Sequence, residues 1–137
     1  MATKPKLPSV IHRLRISQAD AHYAGNLVDG AKLLQFFGDV ATELLIRSDG
    51  EEGLFRAYSS VEFLSPVRVG DFLEIEGEMT GIGRSSRTMR FVARKIIAAE
   101  QNPNRAGKAK VLKKAIIVCR AEGTCVVQGN KHWKRLR

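Results

Sequence analysis

The chain has 137 residues, 44% hydrophobic and 27% charged, which suits one globular domain with a core of its own. No apolar run is long enough to span a bilayer, and the start, "MATKPKLPSV", carries charge without the apolar stretch of a secretory signal, so a cytoplasmic protein without membrane association is expected. Twenty-three Lys and Arg against 14 Asp and Glu give a formal net charge of +9, a balance that attracts a polyanion or a small ligand bearing several phosphates. The excess is concentrated in "NRAGKAKVLKK" and in a basic tail from about residue 128, "KHWKRLR". A solvated tail with no specific partner fits that tail equally well.

In chain order, Val10 to Ile16 alternates, with His12, Leu14 and Ile16 on one face and Arg13 and Arg15 on the other. This predicts a strand, of the kind that guards a sheet edge with charge. A loop containing Gly25 and Asn26 follows. Asp29 then precedes "GAKLLQFFGDVATELLI", where Leu33, Phe37, Val40 and Leu44 recur at helical spacing and Leu34, Ala41 and Leu45 widen the stripe. The turn residues of "SDGEEG" end this single long helix. Phe55, Ala57, Ser59, Val61 and Phe63 predict an alternating strand. "VGDFLEIEGEMTGIG" sets Leu73, Ile75, Gly77 and Met79 against Glu74, Glu76, Glu78 and Thr80, a strand with one buried and one wet face. "SSRTMRFVARKII" and "KKAIIVCRAEGTCVVQG" predict two more, joined by "QNPNRAGKAK".

Strand, helix and four further strands make an α+β, two-layer domain spanning 1–137. One helix cannot cover both faces of five strands, so a homo-oligomer built from dimers is expected. Cys119 and Cys125 lie six positions apart in one predicted strand, about 20 Å along it, too far to bridge. No histidine stands at ligand spacing from them, so they are read as core residues and no metal site is expected.

Two segments, "HYAGNLVDGAKLLQFFGDVA" and "VEFLSPVRVGDFLEIEGEMTGIGRSSRTMRF", resemble the hotdog-fold acyl-CoA enzymes, in which an antiparallel sheet wraps one long central helix. The wording "DAHYAGNLVDGA…GDVATELL" followed by "VEFLSPVRVGDF" is similar to one branch, the 3-aminoacyl-CoA ammonia lyases, which act on 3-aminobutyryl-CoA and β-alanyl-CoA. The likeness runs from about Arg15 to Ile97. It implies elimination of ammonia from a 3-aminoacyl-CoA, with 3-aminobutyryl-CoA to crotonyl-CoA favoured and lysine fermentation as the setting. Coenzyme A would be part of the substrate. When the helices are set in register on "KLLQFF", Gly38 falls where an acyl-CoA thioesterase of the superfamily, the alternative reading, usually carries its catalytic acid. Asp39 takes the next position.

The chemistry can be reasoned separately. A thioester acidifies its α-carbon, so a carboxylate can remove that proton if the enolate oxygen is stabilised. Free N–H groups at a helix start, here Gly30 and Ala31, supply such stabilisation, and glycine admits a close approach. The thioester makes an electrophilic prosthetic group unnecessary. Asp39 and Glu43, four apart, share a helix face with Lys32 and Gln35. That stripe suits a solvated face. In a hotdog core the two acids would repel and one pKa would rise, which favours Glu43 as base and Asp39 as the ammonium contact, with roles interchangeable. Asp29 is read as the N-cap. His22, Tyr23 and Glu62 are candidate substrate contacts, each also readable as a structural or solvated residue.

For the coenzyme A moiety, "GIGRSSR" offers Gly83, Ser85 and Ser86 as donors and Arg84 and Arg87 as phosphate partners, and the lysines of "GKAKVLKK" could add to them. An RNA-binding module using the basic tail and Trp133 ranks last, because basic and aromatic residues are not interleaved as base stacking requires.

Overall fold

A computed structural model describes residues 7–128. The basic tail beyond Gln128, Trp133 included, lies outside the described residues. The main sheet is antiparallel, in the order β1-β5-β6-β7-β4. Its strands are β1 (Ser9–Arg15), β4 (Leu54–Phe63), β5 (Phe72–Ile82), β6 (Ser86–Ala99) and β7 (Ala109–Val126). The expected α+β arrangement is present, with one helix, α1 (Gly30–Asp49), on one face of the sheet.

Local chemistry sets the helix bounds. The Asp29 carboxylate accepts from the Lys32 amide at 3.3 Å, and Gly50 closes the far end in the left-handed conformation, φ 73°. Between them Leu33, Phe37, Val40, Ala41, Leu44 and Leu45 are buried. The helix packs mainly across β5 and β1. Its close approach requires Gly77, since a Cβ there would meet Val40 at 2.5 Å and the Phe91 ring at 3.1 Å. The Phe37 and Phe91 rings stack at 5.2 Å beneath it. Cys119 and Cys125 are buried free thiols of this core, and burial pushes them up to about 11 and about 12, so neither ionises near neutrality.

Two sequence expectations need correction. The loop around Gly25 contains a small hairpin, β2 (Ala21–Tyr23) with β3 (Leu27–Val28), which turns through Gly25 and Asn26, both at positive φ. On β4 the strict alternation fails. Register shifts between Phe55/Ala57 and Tyr58/Ser60 turn Phe55, Tyr58 and Val61 toward the core, leaving Ala57, Ser59 and Phe63 exposed. The outer sheet face carries a lattice of ion pairs: Arg13–Glu74 at 2.6 Å, Arg94–Glu76 at 3.1 Å, Arg90–Glu78 at 2.8 Å and Arg120–Glu62 at 3.4 Å. The inner face is the apolar one, and α1 leaves its β4 side largely uncovered.

Candidate active site

Two openings flank the first half of α1. At its N-terminus an apolar cleft of about 420 Å³ is lined by Leu27, Gly30, Leu33, Phe63, Leu64 and Pro66, among others. Beside it, between α1 and β4, a groove of about 440 Å³ is lined by Ala31, Leu34, Gln35, Gly38, Phe55 and Tyr58, among others. The first-turn amides of Gly30 and Ala31 have no acceptor within the helix, and Asp29 caps the Lys32 amide beyond them. The space beside them is not empty. What lies against Gly30 is the Phe63 ring, 2.5 Å from where a Cβ would stand. The glycine makes room for that ring, which is itself 56% exposed at the cleft.

The carboxylates part company. Glu43 accepts from Arg47 Nε at 2.8 Å and its other oxygen lies 2.7 Å from His12 Nε2. Instead of rising, its pKa is held below the usual carboxylate range, by Arg47 first and then by His12. The expected mutual repulsion fails because Glu43 turns to these two partners. Asp39 is exposed, and no ion pair holds it among the described residues.

Distance separates the parts further. Asp39 lies nine residues from Gly30, about 14 Å along the axis, and Glu43 thirteen residues, about 20 Å. Within one chain neither acid can work on a thioester whose oxygen sits at the helix start.

Other candidates scatter. His22 and Tyr23 sit on β2 ahead of the helix, exposed, their rings edge-on at 4.8 Å. Glu62 faces outward to Arg120, on the sheet face away from α1, so it does not line this site. The "GIGRSSR" turn lies at the opposite end of the helix. There Arg87, buried, forks onto Asp49 with bonds of 3.0 and 2.8 Å and donates to the Gly83 and Ser86 carbonyls. It is consumed as a clamp and is not available as a phosphate partner. The Gly83 amide is spent on the Ser86 carbonyl at 2.8 Å. Arg84 remains exposed, and Ser85 and Ser86 keep their hydroxyls beside it.

Tyr58 escaped the sequence reading. Its hydroxyl donates to the Leu34 carbonyl at 3.4 Å inside the groove, and burial raises it to about 12, so it stays a neutral donor. Strict alternation assigned it to the wet face, and only the β4 bulges turn it inward. Among the described residues no group of three His, Cys, Asp or Glu could hold a metal ion, and no helix is long and apolar enough to cross a membrane.

Residues 25–96 match the thioesterase superfamily. The chain is 55% identical over 122 residues to the 3-aminobutyryl-CoA ammonia lyase of Acetoanaerobium sticklandii, covering 89% of this chain and 96% of that protein. It superposes on the β-alanyl-CoA:ammonia lyase of Clostridium propionicum with a TM-score of 0.86 and 35% identity, over 91% of this chain and 88% of that one. A hexameric acyl-CoA thioesterase shares the fold at a TM-score of 0.68 and 20% identity, covering 93% and 83%. Matched by that superfamily over more than half its length and by these relatives over nearly all of it, the chain belongs to the thioesterase superfamily, with its hotdog fold.

Proposed function

We propose that this protein is a carbon–nitrogen lyase that reversibly eliminates ammonia from a short 3-aminoacyl-CoA, with 3-aminobutyryl-CoA to crotonyl-CoA the favoured pair, in the amino-acid fermentation of a cytoplasm. The single observation that carries this is the 55% identity, across 96% of its length, with a 3-aminobutyryl-CoA ammonia lyase. The site supports it on chemical grounds. Gly38 offers no carboxylate where a hydrolase of this superfamily would be expected to carry one, and Asp39 follows it on the next position of the helix.

The catalytic set is completed by a second subunit. The groove residues Ala31, Leu34, Gln35 and Gly38 are centred near Gln35. If a partner's α1 crosses there about a two-fold axis, antiparallel, residue 31 of one helix lies opposite residue 39 of the other. The amides of Gly30 and Ala31 from one subunit then face Asp39 from its partner, which a single chain cannot arrange. The free edge of β4 and the uncovered inner face beside it suit the same pairing.

In that site Asp39 takes the α-proton, the electron pair forms the Cα–Cβ double bond through an enolate whose oxygen the helix amides stabilise, and the Cβ–N bond breaks. An amine bound as ammonium leaves as neutral ammonia, so no further acid is required. Glu43, already held by Arg47 and His12, orients the helix face. Tyr58, a neutral donor in the groove, and His22, ahead of the helix, are the polar groups taken to contact the substrate. Purified protein mixed with crotonyl-CoA and ammonium should consume the conjugated enoyl absorbance. No consumption with any short enoyl-CoA, together with free thiol released from short acyl-CoAs, would turn the assignment to a thioesterase.

A further inference from the structure

The two candidate phosphate-binding segments, the "GIGRSSR" turn and the β6–β7 hairpin, lie at opposite ends of α1, and only the hairpin is at the end where the thioester is proposed to sit. The link from the helix start to the β6–β7 hairpin is continuous. Val28 donates to the Val67 carbonyl at 2.9 Å, Val69 to the Asn26 carbonyl at 3.0 Å, and the Gln101 side chain to the Val69 carbonyl at 3.3 Å. Buried Asp71 fastens the hairpin to the same corner, accepting from the Ala99 and Arg68 amides at 2.9 Å each and pairing with Lys95 at 3.1 Å. The "GIGRSSR" turn sits instead at the C-terminal end of a 20-residue helix, about 30 Å from its start. A pantetheine arm has about fourteen bonds between sulfur and phosphorus, equivalent to about five extended residues, so it spans ~17 Å. That is too short to reach its own subunit's turn, whereas the hairpin is tied to the helix start through the bonded segments above.

The supply of free charge agrees. Among the described residues the turn has one uncommitted cation, Arg84, since Arg87 is spent on Asp49. At the hairpin a hollow of about 280 Å³ is lined by Arg105, Lys108 and Lys110 with a single acid, Glu100. Arg105 approaches Glu100 only to 3.9 Å. Lys108, Lys110, Lys113 and Lys114 are exposed and form no ion pair among the described residues. A 3′-phosphate and a diphosphate together carry about four negative charges near neutrality, and the three cations of this hollow come closer to balancing them than Arg84 alone.

We infer that the β6–β7 hairpin, through Arg105, Lys108 and Lys110, is the seat of the phosphoadenosine diphosphate end of coenzyme A. The inference rests on the acyl-CoA reading of the site. It is tested by titrating the full-length protein calorimetrically with coenzyme A, with dephospho-coenzyme A and with pantetheine, none of which turns over. Replacing Arg105, Lys108 and Lys110 together by Gln should weaken coenzyme A binding about tenfold or more, leave pantetheine binding unchanged, and abolish most of the salt dependence of the wild-type affinity. With 3-aminoacyl-CoA as substrate, KM should rise at constant kcat. All three side chains are exposed, so the fold should survive, and the melting temperature checks this. Wild-type affinity in the triple variant, or the full loss from Arg84→Ala alone, would overturn the inference in favour of a partner subunit's turn. Hairpin-dependent binding of coenzyme A by a protein that consumes no enoyl-CoA would support this inference and sink the lyase reading instead.

Discussion

The two ends of α1 are built for opposite purposes. At the C-terminal end the groups that close the helix are spoken for. Gly50 turns back to the Ile46 carbonyl at 2.9 Å, Arg87 forks onto Asp49, and the Gln128 amide is taken by Glu51. At the N-terminal end the amides of Gly30 and Ala31 have no intrahelical acceptor, an apolar cleft opens beside them, and a phenyl ring stands half in solvent. Groups left unsatisfied in this way are costly to a fold and useful to a ligand, whereas a closed network serves stability alone. Substitutions at the first end should therefore cost activity, and at the second they should cost folding free energy.

The largest effect belongs to Asp39→Asn. Loss of the general base should lower kcat by about 10²-fold to 10⁴-fold with the melting temperature and coenzyme A affinity unchanged, as read by enoyl-CoA formation and calorimetry. At the sealed end, Asp49→Asn leaves the buried Arg87 guanidinium without its partner and should cost about 3 kcal/mol in denaturant melts, while kcat per folded molecule stays near wild type. A comparable fall in kcat at unchanged stability would erase the contrast between the two ends.

Acid sharpens the comparison. Arg87 holds the Asp49 carboxyl below its ordinary value of 3.8, and Arg47 and His12 hold Glu43 below 4.5. Because the folded values are depressed, their stabilisation is present above the unfolded values and is lost as pH falls through the folded ones. Melting temperature should therefore drop below about pH 4, and Glu43→Gln and Asp49→Asn should each flatten that drop. The smallest effect is alkaline. Tyr58 is raised from 10.0 to about 12 by burial, so stability is lost as pH rises from 10 toward 12. Tyr58→Phe should remove that loss, a change visible only in a pH series of melts.

Much of the fold was legible because it follows from periodicity. The Leu33–Phe37–Val40–Leu44 stripe and the Leu73–Ile75–Gly77–Met79 alternation became the two halves of one core. On β4 alternation misled, because bulges opposite β7 advance the inward set to Phe55, Tyr58 and Val61 and no local residue pattern announces them. The site was legible as residue types but not as an arrangement. Gly30, Ala31 and Asp39 could be picked by residue type, yet helical rise places them too far apart to act together in one chain. Arg87 looked like a phosphate ligand in "GIGRSSR", and only the return of α1 to that turn, bringing Asp49, shows it as a clamp. Glu43 likewise acquires His12 from a strand thirty-one positions earlier. Tertiary partners decided each of these roles.

The central claim is that one active site takes its amides from one subunit and its carboxylate from the other. Gly30→Pro removes an amide donor at a position where proline suits a helix start, and its ring atoms also push the exposed Phe63 ring aside, so it should cost about a hundredfold or more in rate, as Asp39→Asn does by a different route. Co-expressing the two variant chains and assaying the isolated mixed oligomer with 3-aminobutyryl-CoA is the most direct measurement. Crossed sites predict that activity returns in the mixture, because half the sites of a mixed dimer pair an intact helix start with an intact Asp39. A mixture no more active than its two parents would contradict the account.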